Sequence, residues 1–170
     1  MKTPLSVAVA QLDCVVGDIS GNARRILDAV ARAKAAGADV LLTPELVLCG
    51  YPPEDLLLRP AFLDACAEEL DALAAQVHGI TVIVGYPAER AGERFNAAAV
   101  IQNGRVARTY FKHRLPNYEV FDEERYFEPG HEACVFELKG VRVGVNICAD
   151  VWESGAADVA RGAGAELLLV

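Results

Sequence analysis

The first 43 residues carry the pattern that most constrains the fold: a strand, an amphipathic helix and a second strand. LSVAVAQL (residues 5–12) is mostly apolar and rich in valine, which is typical of a buried strand. Apolar residues then recur at helical spacing, at positions 26, 27, 30 and 33. Asn22 is the candidate helix cap and Gly37 the candidate C-terminal turn residue. VLLT (40–43) predicts a second strand, so the two strands should be parallel neighbours joined by the helix.

The rest of the chain continues this alternation of strands and helices. Asn103-Gly104 and Lys139-Gly140 each lie between two strand-like runs, which predicts two hairpins. The expected elements are a helix at 61–76, strands at 80–85, 95–102, 105–111, 133–138 and 141–147, a helix at 153–161 and a strand at 165–170. The predicted class is α/β, a mixed sheet with helices layered on a face.

Composition excludes several classes of function. The chain of 170 residues is 53% hydrophobic, yet no apolar run reaches the roughly 18 residues that a membrane span needs. Net charge is −8 and the basic residues are dispersed, which argues against a nucleic-acid partner. The first four residues lack the pattern of a secretory leader, so we expect a cytoplasmic protein.

The cysteines do not form a metal-binding pattern. Five cysteines, at positions 14, 49, 66, 134 and 148, show no CxxC pair and no zinc spacing with the three histidines. Reduced thiols and no metal are therefore expected. Packing is the expected role of the first four.

Three chemically reactive side chains follow three of the predicted strands. Glu45 follows the second strand, Lys112 follows the strand at 105–111, and Cys148 follows the strand at 141–147. Each has an ordinary interpretation, namely a loop carboxylate, a solvated lysine and a core thiol. Functional groups of α/β proteins gather at the carboxyl ends of strands, and a thiol needs a nearby base or cation to react. The set therefore indicates a cysteine nucleophile, whose pKa we expect Lys112 to depress.

Several segments of the sequence resemble a known superfamily. PEL (44–46), YFKHRLPNYEVFDEERYF (110–127) and VNICADVW (145–152) resemble the nitrilase, or carbon–nitrogen hydrolase, superfamily. CGYPPEDLL (49–57) and LPNY (115–118) are more specifically similar to the glutamine-hydrolysing domain of glutamine-dependent NAD(+) synthetases. The resemblance covers essentially all of residues 1–170.

The resemblance implies a four-layer αββα sandwich that hydrolyses an amide through a thioester, without a metal. Cys148 would attack the side-chain amide of glutamine, and Glu45 would move the protons. Lys112 and the backbone N–H of Ala149 would stabilise the oxyanion.

The same resemblance implies supporting residues around these groups. A second glutamate is expected at Glu123, with Glu119 a weaker candidate, although the acidic run 122–124 is also consistent with a solvated loop. Tyr118 would contact the glutamine. Phe121 would either line the pocket or pack in the core.

The resemblance further implies that this glutaminase domain is incomplete at its C-terminal end and belongs to a homo-oligomer. The covalently linked synthetase domain, which uses ATP and Mg, is not in residues 1–170, and neither is a phosphate-binding loop. Two other interpretations stay open: a stand-alone amidase for another small amide or carbamoyl compound, and a non-catalytic binding module. An intact set of Glu45, Lys112 and Cys148 argues against the binding module.

Overall fold

The computed structural model describes residues 4–170, which form two β-sheets covered by helices. The first sheet has the strand order β1 (Val7–Val9), β2 (Val40–Leu42), β3 (Thr81–Arg90), β4 (Glu93–Gln102) and β5 (Arg105–Phe111). The second sheet has the order β6 (Cys134–Leu138), β7 (Val141–Val145) and β8 (Leu167–Leu169). The helices are α1 (Ile19–Ala35), α2 (Pro60–Ala74) and α3 (Ala156–Gly162), with short 3-10 helices at Glu54–Leu58, Glu123–Arg125 and Cys148–Val151.

The layers follow from strands that are apolar on both faces. On β3, Val82 and Val84 belong to the core cluster shared with α1 and α2, whereas Ile83 belongs to the cluster between the two sheets. This alternation buries both faces of the first sheet. Helix α3 covers the outer face of the second sheet, where Ala160 lies against Gly144. The order helix, sheet, sheet, helix is the αββα sandwich that the resemblance implied, rather than one mixed sheet.

The predicted βαβ unit is confirmed, with one correction. β1 and β2 pair in parallel, and Gly37 has a φ of 75° just beyond the end of α1. Asn22 is not the cap, because Asp18 caps α1 by accepting a hydrogen bond from the Gly21 N–H. Asn22 is instead fully buried inside the helix, where its side-chain amide donates to the carbonyl oxygens of Val15 and Leu48.

Both predicted hairpins are present, and a third was missed. Asn103-Gly104 and Lys139-Gly140 have positive φ at both residues, as tight hairpin turns require. β3 runs on to Arg90 and turns through a two-residue connection into β4, so that Arg90 pairs with Glu93. β1 is shorter than predicted, and α3 begins at Ala156 rather than at 153.

No helix within residues 4–170 is long and apolar enough to cross a bilayer. Residues 1–3, on which the prediction of no secretory leader partly rests, lie outside the described residues.

Candidate active site

The structure brings together the three side chains that follow strands. Glu45 lies three residues after β2 and Lys112 directly after β5, both in the first sheet. Cys148 lies three residues after β7 in the second sheet and opens a 3-10 helix. Because the two sheets pack face to face, Cys148 and Glu45 line the same cavity, and the Glu45 carboxylate acts on the thiol. The Lys112 Nζ lies 2.6 Å from Glu45 Oε1.

Lys112 is a buried cation held by two carboxylates. Its side chain has no solvent exposure, which excludes the interpretation of a solvated lysine. Its Nζ donates to Glu45 and lies 2.7 and 2.9 Å from the two carboxylate oxygens of Glu123. Burial acts to lower the pKa of Lys112, but the charges of Glu45 and Glu123 outweigh burial and raise the pKa above its ordinary value. Lys112 therefore stays charged.

Glu123 belongs to this cluster, whereas its acidic neighbours do not. Asp122 and Glu124 are exposed, so the solvated-loop interpretation of the run 122–124 holds for them and is wrong for Glu123. Glu119, the weaker candidate for the second glutamate, is also exposed. Burial, and the charge of Glu45 beside it, raise the pKa of Glu123, although Lys112 and Asn96 act to lower it.

The loop that carries Cys148 has an unusual backbone. Cys148 has a φ of 43°, a conformation that costs free energy for any residue with a side chain. The thiol is half-buried at the end of this turn. Such strained residues cluster at functional sites.

Lys112 acts to lower the pKa of the Cys148 thiol, as predicted, but burial and Glu45 outweigh it, so the net shift is upward. Burial, followed by the charge of Glu45, raises the pKa of Cys148 to about 11. The charge of Lys112 is largely offset by its two carboxylate partners. The resting thiol is therefore protonated and needs a base, and Glu45 is the carboxylate that lines the same cavity.

The loop of Glu45 fits against β3 because position 85 is a glycine. A Cβ atom on Gly85 would lie 2.5 Å from the Leu46 N and 2.7 Å from the Pro44 O. The Leu48 N–H also donates to the Gly85 carbonyl, at 3.1 Å. A larger residue at position 85 would displace Glu45 from Lys112.

Aromatic side chains lie outside this cluster, next to a cleft. Tyr118 is 53% exposed and contacts Phe121 edge to face at 5.8 Å between ring centroids. Phe121 is half-buried and contacts Trp152 at 5.9 Å. A cleft of about 380 Å³ is lined by Tyr118, Trp152 and Ala149 among others. A smaller cavity of about 180 Å³ is lined by Glu45 and Cys148.

Ala149 is the residue whose backbone N–H the resemblance implies as an oxyanion donor. It is the second residue of the 3-10 helix that Cys148 opens, and the first N–H groups of a helix lack acceptors within that helix.

Sequence reasoning missed four residues of this region. Asn96 donates from Nδ2 to Glu45 at 2.7 Å and to Glu123 at 3.3 Å. Asp150 is a fully buried carboxylate two residues after Cys148. Tyr51 lies near enough to the cluster that burial, and then the charges of Glu45 and Glu123, raise its pKa to about 12. Trp152 is the fourth. Polar residues inside apolar segments, such as Asn96 in RFNAAAVIQ, were the available signal.

The other four cysteines lie where packing residues are expected. Cys49, Cys66 and Cys134 are buried, and Cys14 is half-buried against the helix-covered core. Among residues 4–170, no group of three or more His, Cys, Asp or Glu side chains is arranged to hold a metal ion.

The fold and the site together define a nitrilase-type α/β protein with a cysteine, a glutamate and a lysine at its centre. Residues 6–170 match the carbon-nitrogen hydrolase family, and the chain belongs to that family. The resemblance seen in the sequence is thereby confirmed.

The chain is similar to several longer proteins. It is 51% identical to the glutamine-dependent NAD(+) synthetase of Xylella fastidiosa strain Temecula1, over all of this chain and 32% of that protein. The corresponding synthetase of Thermotoga maritima is 41% identical, over 96% of this chain and 29% of that protein. The chain thus spans about a third of the length of the curated relatives that it matches.

Solved structures show the same fold. The glutamine-dependent NAD+ synthetase of Acinetobacter baumannii, in complex with ADP, superposes with a TM-score of 0.93 at 38% identity, over 98% of this chain and 32% of that one. An amidase from Nesterenkonia sp. superposes with a TM-score of 0.87 at 29% identity, over all of this chain and 65% of that one.

Proposed function

We propose that this chain is the glutamine-hydrolysing part of a glutamine-dependent NAD(+) synthetase. The observation that carries the proposal is that Cys148 and Glu45 line one cavity and Lys112 is bonded to Glu45, in a chain that is 51% identical to such a synthetase over its whole length. A nucleophile, a base within hydrogen-bond reach and a fixed cation are the parts that acyl transfer requires. A non-catalytic module would have no use for a buried lysine beside a protonated thiol.

The first half of the reaction forms a thioester. Glu45 accepts the thiol proton as Cys148 Sγ bonds to the amide carbon of glutamine, and the carbonyl electron pair moves onto oxygen. Lys112 and the Ala149 N–H stabilise that oxyanion. The oxyanion then collapses, the carbon–nitrogen bond breaks, and the proton held by Glu45 goes to the leaving nitrogen, which departs as ammonia.

The second half restores the enzyme. Glu45 removes a proton from water, the resulting hydroxide attacks the thioester carbon, and the carbon–sulfur bond breaks. The proton returns to Cys148 Sγ, and glutamate is released. Glu123 stays beside Lys112 throughout and holds the lysine in place. Tyr118, which lines the cleft, and Phe121, which packs against Tyr118, would contact the glutamine.

The proposal extends to partners outside this chain. The ammonia would serve the ATP- and Mg-dependent amidation of deamido-NAD by a covalently linked synthetase domain. A homo-oligomer in the cytoplasm is part of the same proposal. The support for a linked domain is the length of the relatives, of which this chain matches about a third.

The experiment measures ammonia released from L-glutamine by the natural full-length protein and by its Cys148→Ala variant. We expect the variant to fall to background, on the order of 10⁶-fold, as when the nucleophile of another acyl-transfer enzyme is removed. Mass spectrometry of acid-quenched wild type should show a glutamyl adduct on Cys148. Cys134→Ala, which changes a buried packing thiol, is the matched control and should keep its activity.

A stand-alone amidase is the second candidate. The superposition on the Nesterenkonia amidase at a TM-score of 0.87 favours it. Turnover of small amides such as acetamide, without turnover of glutamine, would support the amidase and contradict the glutaminase.

A further inference from the structure

We propose that Asp150 is a positioning residue that holds the Cys148 loop in register with the strand end that carries Lys112. Its carboxylate is fully buried and accepts four hydrogen bonds. The donors are the Tyr110 hydroxyl at 2.7 Å, the Arg114 N–H at 2.8 Å, the Ile147 N–H at 2.9 Å and the His113 N–H at 3.0 Å.

The two oxygens of Asp150 serve the two sides of the site. Oδ1 accepts from the backbone of His113 and Arg114, which directly follow Lys112. Oδ2 accepts from the backbone of Ile147, which directly precedes Cys148. One carboxylate thus joins the segments that carry the cation and the thiol, although these segments come from different sheets.

A second chain of hydrogen bonds reinforces this link. The Tyr110 hydroxyl, on β5, donates to Asp150 and accepts from the Asn146 side-chain amide at 2.8 Å. Tyr110 lies two residues before Lys112, and Asn146 lies two residues before Cys148. The segment that carries Lys112 and the segment that carries Cys148 are therefore joined in two places, by Asp150 and by the Tyr110–Asn146 hydrogen bond.

The donors identified in the described part of the chain are backbone amides and a phenol rather than cationic side chains. A buried carboxylate is costly unless its oxygens are hydrogen-bonded, and four charge-assisted bonds offset that cost. Asparagine could not replace it, because its NH₂ group would face N–H donors. The site thus requires an acid at position 150 rather than any polar residue of that size.

The strained backbone of Cys148 indicates why the Asp150 hydrogen bonds are needed. A φ of 43° at a cysteine persists only where neighbouring contacts determine the conformation. The Asp150 N–H donates to the Ile147 carbonyl at 3.0 Å, while the Asp150 carboxylate accepts from the Ile147 N–H. These two bonds close the turn around Cys148. They hold the backbone of residues 147–150, and with it keep Cys148 at the cavity that Glu45 also lines.

The kinetic test rests on the proposed function and uses Asp150→Asn in the natural full-length protein. We expect kcat for glutamine to fall about 100-fold, since misplacing a reacting group by about 1 Å has an effect of that size. KM should change less than about threefold, because Tyr118 and Phe121 are untouched. Leu73→Ala, which opens a cavity in the helix layer, controls for lost stability and should keep kcat at temperatures where it is folded.

A second readout needs no substrate, so it stays informative if glutamine is not hydrolysed. The rate at which iodoacetamide alkylates Cys148 is measured by mass spectrometry across pH. In folded Asp150→Asn the thiol moves away from the Glu45 carboxylate, and the alkylation profile should shift to lower pH. The Leu73→Ala profile should match wild type.

Tyr110→Phe keeps the test decisive if Asp150→Asn does not fold. It removes one of the four donors and keeps the ring, so we expect a fall in kcat of about tenfold, as for one hydrogen bond to a charged group. A shift of its alkylation profile in the same direction should accompany that fall. Wild-type alkylation profiles in the folded variants would overturn the proposal, whatever the protein hydrolyses.

Discussion

The charged floor of the candidate site and the aromatic residues proposed as its rim are built on opposite principles. The floor, which we define as Glu45, Asn96, Lys112 and Glu123, is joined by hydrogen bonds of 2.6 to 3.3 Å, and its lysine has no solvent exposure. The rim, which we define as Tyr118, Phe121 and Trp152, is held by edge-to-face ring contacts, and two of its three rings are about half exposed. The hydrogen bonds of the floor fix its charges in one arrangement, whereas the exposed rings of the rim are free to change their orientation.

This difference indicates that the floor serves the chemical step and the rim serves substrate binding. A pre-organised cluster of charges in a buried site stabilises a transition state without reorganising during the reaction. Edge-to-face contacts between aromatic rings contribute about 1 kcal/mol each. Contacts this weak let the rings shift to fit a substrate rather than hold one fixed arrangement. Changes in the floor should therefore lower kcat, and changes in the rim should raise KM.

Within the floor and the rim, the largest effect is expected from Lys112→Arg. Arginine keeps the charge, but its planar fork cannot reproduce the compact ammonium between Glu45 and Glu123. We expect ammonia release to fall 10²- to 10³-fold, roughly the loss of one oxyanion donor. Lys139→Arg, at a half-exposed lysine paired with Asp39, is the control and should be unaffected. Near-normal turnover in Lys112→Arg would show that the floor tolerates a different cation geometry.

Asn96→Ala should have the next largest effect. The change removes a donor from both carboxylates of the floor while leaving Lys112 in place. We expect kcat to fall about 10- to 100-fold and the free energy of unfolding to fall by about 2 kcal/mol, because hydrogen bonds to charged groups are lost. Gln102→Ala, at the end of the same strand, is the control. Steady-state kinetics and urea denaturation give the two numbers, and an unchanged kcat would remove Asn96 from the floor.

Some parts of the fold and of the site could be predicted from the sequence, because neighbouring residues determine them. The strands around Asn103-Gly104 and Lys139-Gly140 were predictable, because local turn chemistry and apolar alternation determine them. The β3–β4 hairpin was missed because its turn, Ala91-Gly92, lacks an Asn or Asp signal. The proximity of Glu45, Lys112 and Cys148 followed from their positions after strands.

The supporting residues were not predictable in the same way. Asn96 lies in the middle of a strand and Asp150 in a turn, and the charges that they meet come from distant segments. The pKa of Cys148 depends on burial and on the carboxylates that offset Lys112, which strand positions alone do not reveal. Long-range electrostatics therefore required the structure.

A smaller effect is expected from Glu45→Gln on the alkylation of Cys148. With a pKa of about 11, roughly 1% of the thiol is ionised at pH 9. Removing the negative charge of Glu45 favours the thiolate, so the pKa should fall and iodoacetamide should react about tenfold faster at pH 9. Glu119→Gln, at an exposed site, is the control. Slower alkylation in Glu45→Gln would show instead that the carboxylate activates the thiol even toward this reagent.

The smallest effect is expected at the rim, from Tyr118→Ala. The ring is half exposed and touches Phe121 only at its edge, so removing it should leave the floor and the position of Cys148 intact. Its contacts with bound glutamine would be similar in the ground state and the transition state, which predicts a KM about five- to tenfold higher at an unchanged kcat. Val120→Ser, at a residue that is 88% exposed, is the neighbouring control and should alter neither constant. Initial rates over a wide range of glutamine concentration separate the two constants. A large fall in kcat at constant KM would place Tyr118 with the chemistry of the floor and end the division between the two regions.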